Sequence, residues 1–312
     1  MRADIIALDG RNLLWRTADA YSRLSVEIEG ENIPTGGLYG FLSCALRIHS
    51  AYRGRVVVAW EGRDNFRFKL FPDYKAKRTP KTETERQAYF DQISELAETE
   101  VRLRELLGAM GVHQFEGVGC EADDVLGRLS TLGSDDRRVV IYSADSDVHQ
   151  LVRDSVTVVA PGRGSSGDRT FDAPAVIEKH GVRPDQLADL KALSGDTSDG
   201  IPGIRGVGAK TAAILIGHYG TLEGVLEAAA KEDPDWPSTP RYRGLVAEGA
   251  EEAKLFQRLT RIRLAKPWLH IPGERAQRRV VELLRRYKIR SLQAPAELHG
   301  LMTMGRKSRS AG

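Results

Sequence analysis

The stretch "GCEADDVLGRL", Gly119 to Leu129, sets three carboxylates, Glu121, Asp123 and Asp124, within four positions at the start of an amphipathic pattern. Acids in the first turn of a helix face the positive end of its macrodipole, which accounts for one or two of them. It does not account for the acids that fall elsewhere. "IIALDG" reaches Asp9, "RVVVAWEG" reaches Glu61 and "RRVVIYSADSD" reaches Asp145 and Asp147, each a β-rich apolar run meeting an acid and then turn residues. Farther on, "SGDTSDGIPG" adds Asp196 and Asp199. Carboxylates crowded this closely repel and raise each other's pKa unless cations neutralise them. An oxygen-only ligand set suits Mg²⁺ or Mn²⁺ rather than zinc, and two such ions close together form the clamp used for in-line phosphodiester displacement.

The elements that must gather these acids follow from periodicity. Short apolar runs alternate with helical patterns, which predicts an α/β fold with a mostly parallel sheet flanked by helices. Acids at the carboxyl ends of such strands lie on the edge where open α/β sheets bind ligands. Between Arg63 and Arg86 eight Lys or Arg face four acids, interleaved with Phe66, Phe68, Phe71 and Tyr74. That composition predicts a mobile basic loop, from which Arg67, Lys75 and Arg78 meet nucleic acid, with aromatic rings to stack bases. A long helix over 83–108 follows, with Ile93, Leu96, Leu103, Leu106 and Leu107 at helical spacing.

Two glycine-rich stretches invite nucleotide-binding readings that their contexts refuse. "GRGSSG", Gly162 to Gly167, does not open a helix, because "DRTF" intervenes before a helix start at Asp172 with Pro174 in its first turn. It reads as a hairpin turn. "GIRGVGAKT", Gly203 to Thr211, carries Ala209 where a P-loop has glycine, and no apolar strand precedes it. It joins two helical patterns instead, so its backbone amides, at Gly206 and Gly208, can approach a phosphate backbone beside a helix start, with Lys210 adjacent. A haloacid-type phosphatase would need an acid two residues after Asp9, where Arg11 stands.

Composition sets the outer limits. In 312 residues, 41% hydrophobic and 29% charged, with a net charge of +3, the chain has the balance of a globular protein and no overall charge bias toward nucleic acid. Its two cysteines, Cys44 and Cys120, are far apart and fit a reduced, cytoplasmic compartment. No signal peptide, membrane span or zinc pattern is expected.

Taken in order, "LDG", "YKAKR", "CEADDVLGRL", "SADSDVHQL" and "LSGDTSDGIPGIRGVGAKTA" resemble the 5′-nuclease family, which includes the N-terminal domain of bacterial DNA polymerase I, stand-alone bacteriophage 5′→3′ exonucleases and flap endonucleases. The resemblance covers about residues 4 to 290. It implies a PIN-like domain over 1–180 with a helical arch near 72–108, a helix-two-turn-helix region over 181–292 that grips duplex DNA, and a tail over 293–312. It further implies that Asp9, Glu121, Asp123 and Asp124 hold one Mg²⁺, and that Asp145, Asp147, Asp196 and Asp199 hold or approach the other. Lys75 and Arg78 would line the arch, and Gly206, Gly208 and Lys210 would contact the duplex, often with a K⁺ bound in the 203–208 turn. With no polymerase region following, the stand-alone, monomeric type is expected.

Three positions depart from the family pattern: Glu61 stands where Asp is usual, Trp15 replaces a Tyr and keeps a stacking face toward DNA, and Gly200 follows Asp199 in place of Asn. Glu61 is retained as a metal ligand. "KEDPDWPSTPRYRG", Lys231 to Gly244, is expected as an extended loop. The activity implied is metal-dependent 5′→3′ exonuclease and flap endonuclease cleavage of DNA with 5′ ends, flaps or junctions. A structure-specific binding protein with weak catalysis, through Glu61, is the alternative, and a PIN-type ribonuclease is disfavoured by the glycine-rich helical element.

Overall fold

The computed structural model describes residues 2–162, 167–264 and 267–306. The Val- and Ile-rich runs form its strands. Strand β1 (Ile5–Asp9) leads through α1 (Gly10–Ala20), the hairpin β2 (Ser25–Ile28) and β3 (Glu31–Pro34), and α2 (Gly36–Tyr52) to β4 (Arg55–Trp60). Helices α3 (Phe66–Leu70) and α4 (Glu83–Ala109) precede β5 (His113–Gly117), α5 (Ala122–Ser130), β6 (Val139–Tyr142), β7 (Val156–Ala160), β8 (Arg169–Phe171) and α6 (Ala173–His180). Among the described residues the main sheet runs β8-β7-β6-β1-β4-β5-β9, with β9 (Trp268–Ile271) returning from far along the chain. The strands from β7 to β5 are parallel, and the edge strands β8 and β9 are antiparallel to their neighbours.

Period-two alternation splits the sheet's side chains between two layers. Ile6, Leu8, Val56, Val58 and Trp60 pack under α1, α2 and α4, while Ala7, Val57, Ala59 and Ile141 pack under α5 and α6. Helices α7 (Leu187–Ser194), α8 (Ala209–Tyr219), α9 (Leu222–Ala230), α10 (Pro240–Glu248) and α11 (Ala250–Thr260) enclose a separate apolar core with Leu193, Leu215, Val225 and Phe256 at its centre.

Two boundaries differ from those read in the sequence. The division at 292 is corrected: β9, α12 (Gln277–Arg286) and α13 (Pro295–Thr303) belong to the sheet's own layer, because Val280, Leu283, Leu284, Leu301 and Met304 fill the first core. The loop expected over 231–244 is shorter, since Pro240, pre-set for a first helical position, starts α10. The helix start at Asp172, whose side chain accepts from the Ala175 amide, is as read, and β7 and β8 form an antiparallel pair around the expected hairpin turn. Residues 163–166 of that turn lie outside the described residues.

Candidate active site

Strand register brings the first acids to one edge. Asp9 ends β1 opposite Ala59, so Glu61, the residue just after β4, lies two residues beyond that pair; Leu8 pairs with Tyr142, so Ser143 and Asp145 emerge beside it past the end of β6. Asp9, Glu61, Glu121, Asp123 and Asp145 line one cavity of about 570 Å³, together with Trp15, Lys75 and Arg78. Asp9 also caps α1, accepting from the Asn12 amide at 3.3 Å, and its other oxygen accepts from Ser143 Oγ at 2.7 Å. Burial nevertheless pushes its carboxyl up to about 7, with Asp145 adding repulsion. Burial, then the charges of Asp145, Asp9, Glu121 and Asp147, raises Asp123 well above the carboxylate range.

A second group of acids sits alongside. One carboxylate oxygen from each of Asp147, Asp196 and Asp199 lies within 4.8 Å of the others. Lys191, in the last turn of α7, bonds Asp147 and lies 2.6 Å from Asp196. Burial opposes ionisation of Asp196, but Lys191 and the Ser198 hydrogen bonds outweigh it and hold the carboxyl down to about 2. Asp147 is pushed up to about 7, since its burial outweighs the same lysine.

The basic segment, expected as a mobile loop, is tied to the acids in the structure. Tyr74 is buried, and its hydroxyl lies 3.0 Å from Glu121 and 2.9 Å from Asp199. Lys75 takes a left-handed backbone conformation (φ 58°), and its amide donates to Asp199 O. Its ammonium lies 2.5 Å from Glu121, and Arg78 lies 2.7 Å from Asp199. The segment's low apolar content hid this, because one buried ring, Tyr74, enters the second apolar core while its hydroxyl meets two acids. Glu61 pairs with Arg11, which partly neutralises the longer side chain at that strand end.

Arg67 and Asp124 require correction. Arg67 is 2% exposed, so it does not face DNA; its guanidinium grips both oxygens of Asp124, at 2.6 and 3.1 Å, and donates to Leu259 O. Asp124 has no exposed surface, and accepts in addition from the Arg263 and Glu121 amides. Its oxygens are spent on joining α3, α5 and the end of α11, which removes it from the ligand set. Sequence reading missed this pair because nothing local distinguishes Asp124 from Asp123. It also missed Ser143 and Lys191, and it read Tyr74 as a base-stacking ring where the structure buries it; the lysine in "DLKALSGD", five residues before Asp196, was the available signal.

In the glycine-rich turn Gly203 and Gly206 have φ of 66° and 88°, and a Cβ on Gly203 would fall 2.2 Å from the Gly195 amide nitrogen. Gly208 caps α8 with open space where a Cβ would be, and Lys210 is exposed in the first turn.

Comparison with known proteins agrees with this architecture. Residues 4–181 match the 5′-3′ exonuclease N-terminal resolvase-like domain, and residues 182–279 match the 5′-3′ exonuclease C-terminal SAM fold. A 5′-3′ exonuclease of Bacillus subtilis is 29% identical over 94% of this chain and 96% of its own. DNA polymerase I of Mycobacterium tuberculosis is 34% identical over 72% of this chain, which spans only 24% of that relative. A bacteriophage T5 5′-exonuclease structure with bound zinc superposes with a TM-score of 0.66 at 22% identity, over 96% of each chain. A T5 flap endonuclease complex with DNA and metal ions gives 0.64 at 21%, again over 96% of each. On its two consecutive domain matches, the chain belongs to the 5′-3′ exonuclease family.

Proposed function

We propose that this protein is a metal-dependent nuclease that hydrolyses DNA phosphodiesters at 5′ ends, flaps and branch junctions. The convergence of Asp9, Asp123 and Asp145 in one cavity beside Asp147, Asp196 and Asp199 carries this reading. Such a set fits hard cations, because its donors are all carboxylate oxygens and its buried members are pushed toward protonation by burial and by one another's charge, both of which a cation would offset. Two Mg²⁺ or Mn²⁺ ions are proposed, one held by Asp9, Glu121 and Asp123, the other approached by Asp145, Asp147, Asp196 and Asp199, with Glu61 beside the first. Bound there, such ions supply a nucleophilic water near neutral pH and offset charge on the phosphate.

The chain's own groups do the rest. Ser143 and Asn12 aim Asp9; Tyr74 and Lys75 fix Glu121; Lys191 spaces Asp147 from Asp196. Lys75 and Arg78 border the cavity, where positive charge favours the phosphate and its transition state. DNA as substrate is supported by the T5 flap endonuclease complex with DNA. Gly206, Gly208 and Lys210 would hold the duplex backbone and the 203–208 turn a K⁺. We read the chain as a cytoplasmic monomer; its only two cysteines, Cys44 and Cys120, lie far apart in the sequence, as a reduced compartment permits. Among the described residues no helix is long and apolar enough to cross a membrane.

The test is cleavage of a 5′-labelled flap duplex, with a plain single strand beside it, at millimolar Mg²⁺ or Mn²⁺. Divalent-dependent release of the flap is the expected result. Tight binding without cleavage at either metal would overturn it in favour of the binding-only alternative.

A further inference from the structure

A second chamber of about 690 Å³ lies against the acid cavity, sharing Glu61, Lys75, Arg78, Tyr89 and Glu121 with it as a common wall. Its remaining lining has different chemistry. It includes none of the proposed aspartate ligands, and it adds Asn65, Phe68 and Lys69, with Asp64 as its one further acid. Phe68 is 50% exposed, although it stands edge-on to buried Tyr74 with ring centroids 5.6 Å apart. Of the four aromatic residues in the basic segment it is the one left to solvent; Tyr74 is buried, and Phe66 and Phe71 are half-buried.

Asn65 supplies an independent observation. It is 7% exposed, and its Oδ1 accepts from the Arg67 amide as the cap of α3, which fixes the orientation of the amide group. Its Nδ2 is left buried with no hydrogen-bond partner. An unmatched buried donor is costly and asks for an acceptor. The chamber therefore joins an exposed aromatic face, a spare amide donor and cations at Lys69 and Lys75. A nucleobase has a π face and carbonyl or ring-nitrogen acceptors, and its nucleotide carries the phosphate those cations suit.

We infer that this chamber is a nucleobase subsite, which seats the first unpaired nucleotide beyond the scissile phosphate with its base on Phe68 and an acceptor on Asn65 Nδ2. This rests on the DNA-cleaving reading above. The common wall carries the consequence: a strand whose phosphate lies at the acids needs to move only past Lys75 and Arg78 to place its next base in the chamber. An unpaired nucleotide can enter; a paired one, tied to its complement, cannot.

The experiment compares 5′-tailed duplexes carrying either thymine or an abasic unit at the first unpaired position, binding being measured in Ca²⁺ and cleavage in Mg²⁺. The wild type should bind the thymine tail about tenfold tighter than the abasic one, the scale of one base–aromatic stack. Phe68→Ala should erase that difference while binding blunt duplex as the wild type does. Asn65→Asp retains the capping oxygen but removes the donor, and should lose several-fold affinity on the thymine tail and none on the abasic one. Equal wild-type affinity for the two tails, with tail cleavage intact, would overturn the subsite alone. So would equal losses by Phe68→Ala on tailed and blunt DNA, or wild-type affinity in Asn65→Asp. Failure of the wild type to bind or cut any tailed duplex would instead overturn the nuclease reading and this inference with it.

Discussion

Replacing Arg67 with methionine would strand the Asp124 carboxylate where no water reaches it. The pair is bidentate, with Arg67 2% exposed and Asp124 at zero. Burial opposes the guanidinium's charge, but Asp124 more than restores it and raises its pKa. Removing one partner of a buried pair costs about 3–5 kcal/mol, against a total stability of roughly 5–15 kcal/mol for a typical protein. Adding Asp124→Leu removes the stranded charge, and an apolar pair of similar volume is near neutral. It also forfeits the Arg263 and Glu121 amide bonds, at about 1 kcal/mol each. The double variant should therefore regain roughly 1–3 kcal/mol over Arg67→Met. Urea unfolding at pH 7.5 reads both values. A loss under about 1 kcal/mol for Arg67→Met, or a double variant no better than the single, would refute the argument. Intact stability with weakened DNA affinity would return Arg67 to the DNA interface.

Asp147→Asn should lower Mg²⁺-dependent cleavage by more than roughly 100-fold with the fold retained, as steady-state assays and circular dichroism would report; near-normal cleavage removes it from the ligand set. Lys75→Ala should slow the single-turnover rate more than it weakens binding, because charge aimed at the transition state appears in the chemical step. Lys210→Ala should reduce the salt slope of duplex binding by about 1, irrespective of base sequence. Buried His149 and half-buried His180, whose Nδ1 and Nε2 lie 2.9 Å apart, are held down to about 3 and about 4 by burial and then by Lys179. Both stay neutral in the fold and take up protons on unfolding, so their contribution is lost as pH falls from 6.5 toward those values. Wild type should lose stability relative to His180→Phe across that window; parallel urea midpoints from pH 7.5 to 5 would contradict it.

The strands and the acids that end them were legible because β-branched runs and their following carboxylates are adjacent in the chain. The partition among the acids was not. Asp123 and Asp124 are neighbours of the same type, and only the helix's rotation turns one into the cavity and the other onto Arg67, 57 positions away. The anchoring of Tyr74 by Glu121 and Asp199 spans 47 and 125 positions, so polarity alone made residues 72–82 read as free. The glycine-rich turn was readable because backbone demand for positive φ is written in the residue type itself.

Strand β9 imposes an order on how this chain can be made. His113 on β5 and His270 on β9 meet across 157 positions, and the helices that close the first core follow β9. At a synthesis rate of about 5–20 residues per second, the outer edge of β5 stays unpaired for roughly 8–30 s after it emerges. An open edge strand is a template for pairing with another chain, so nascent protein has its greatest aggregation hazard in that interval. The helical region is thus an insertion within a discontinuous folding unit. A fragment ending at residue 181 would lack β9, α12 and α13 and leave Leu103, Leu106 and Leu107 partly uncovered, so it should behave as a holdase client rather than a domain.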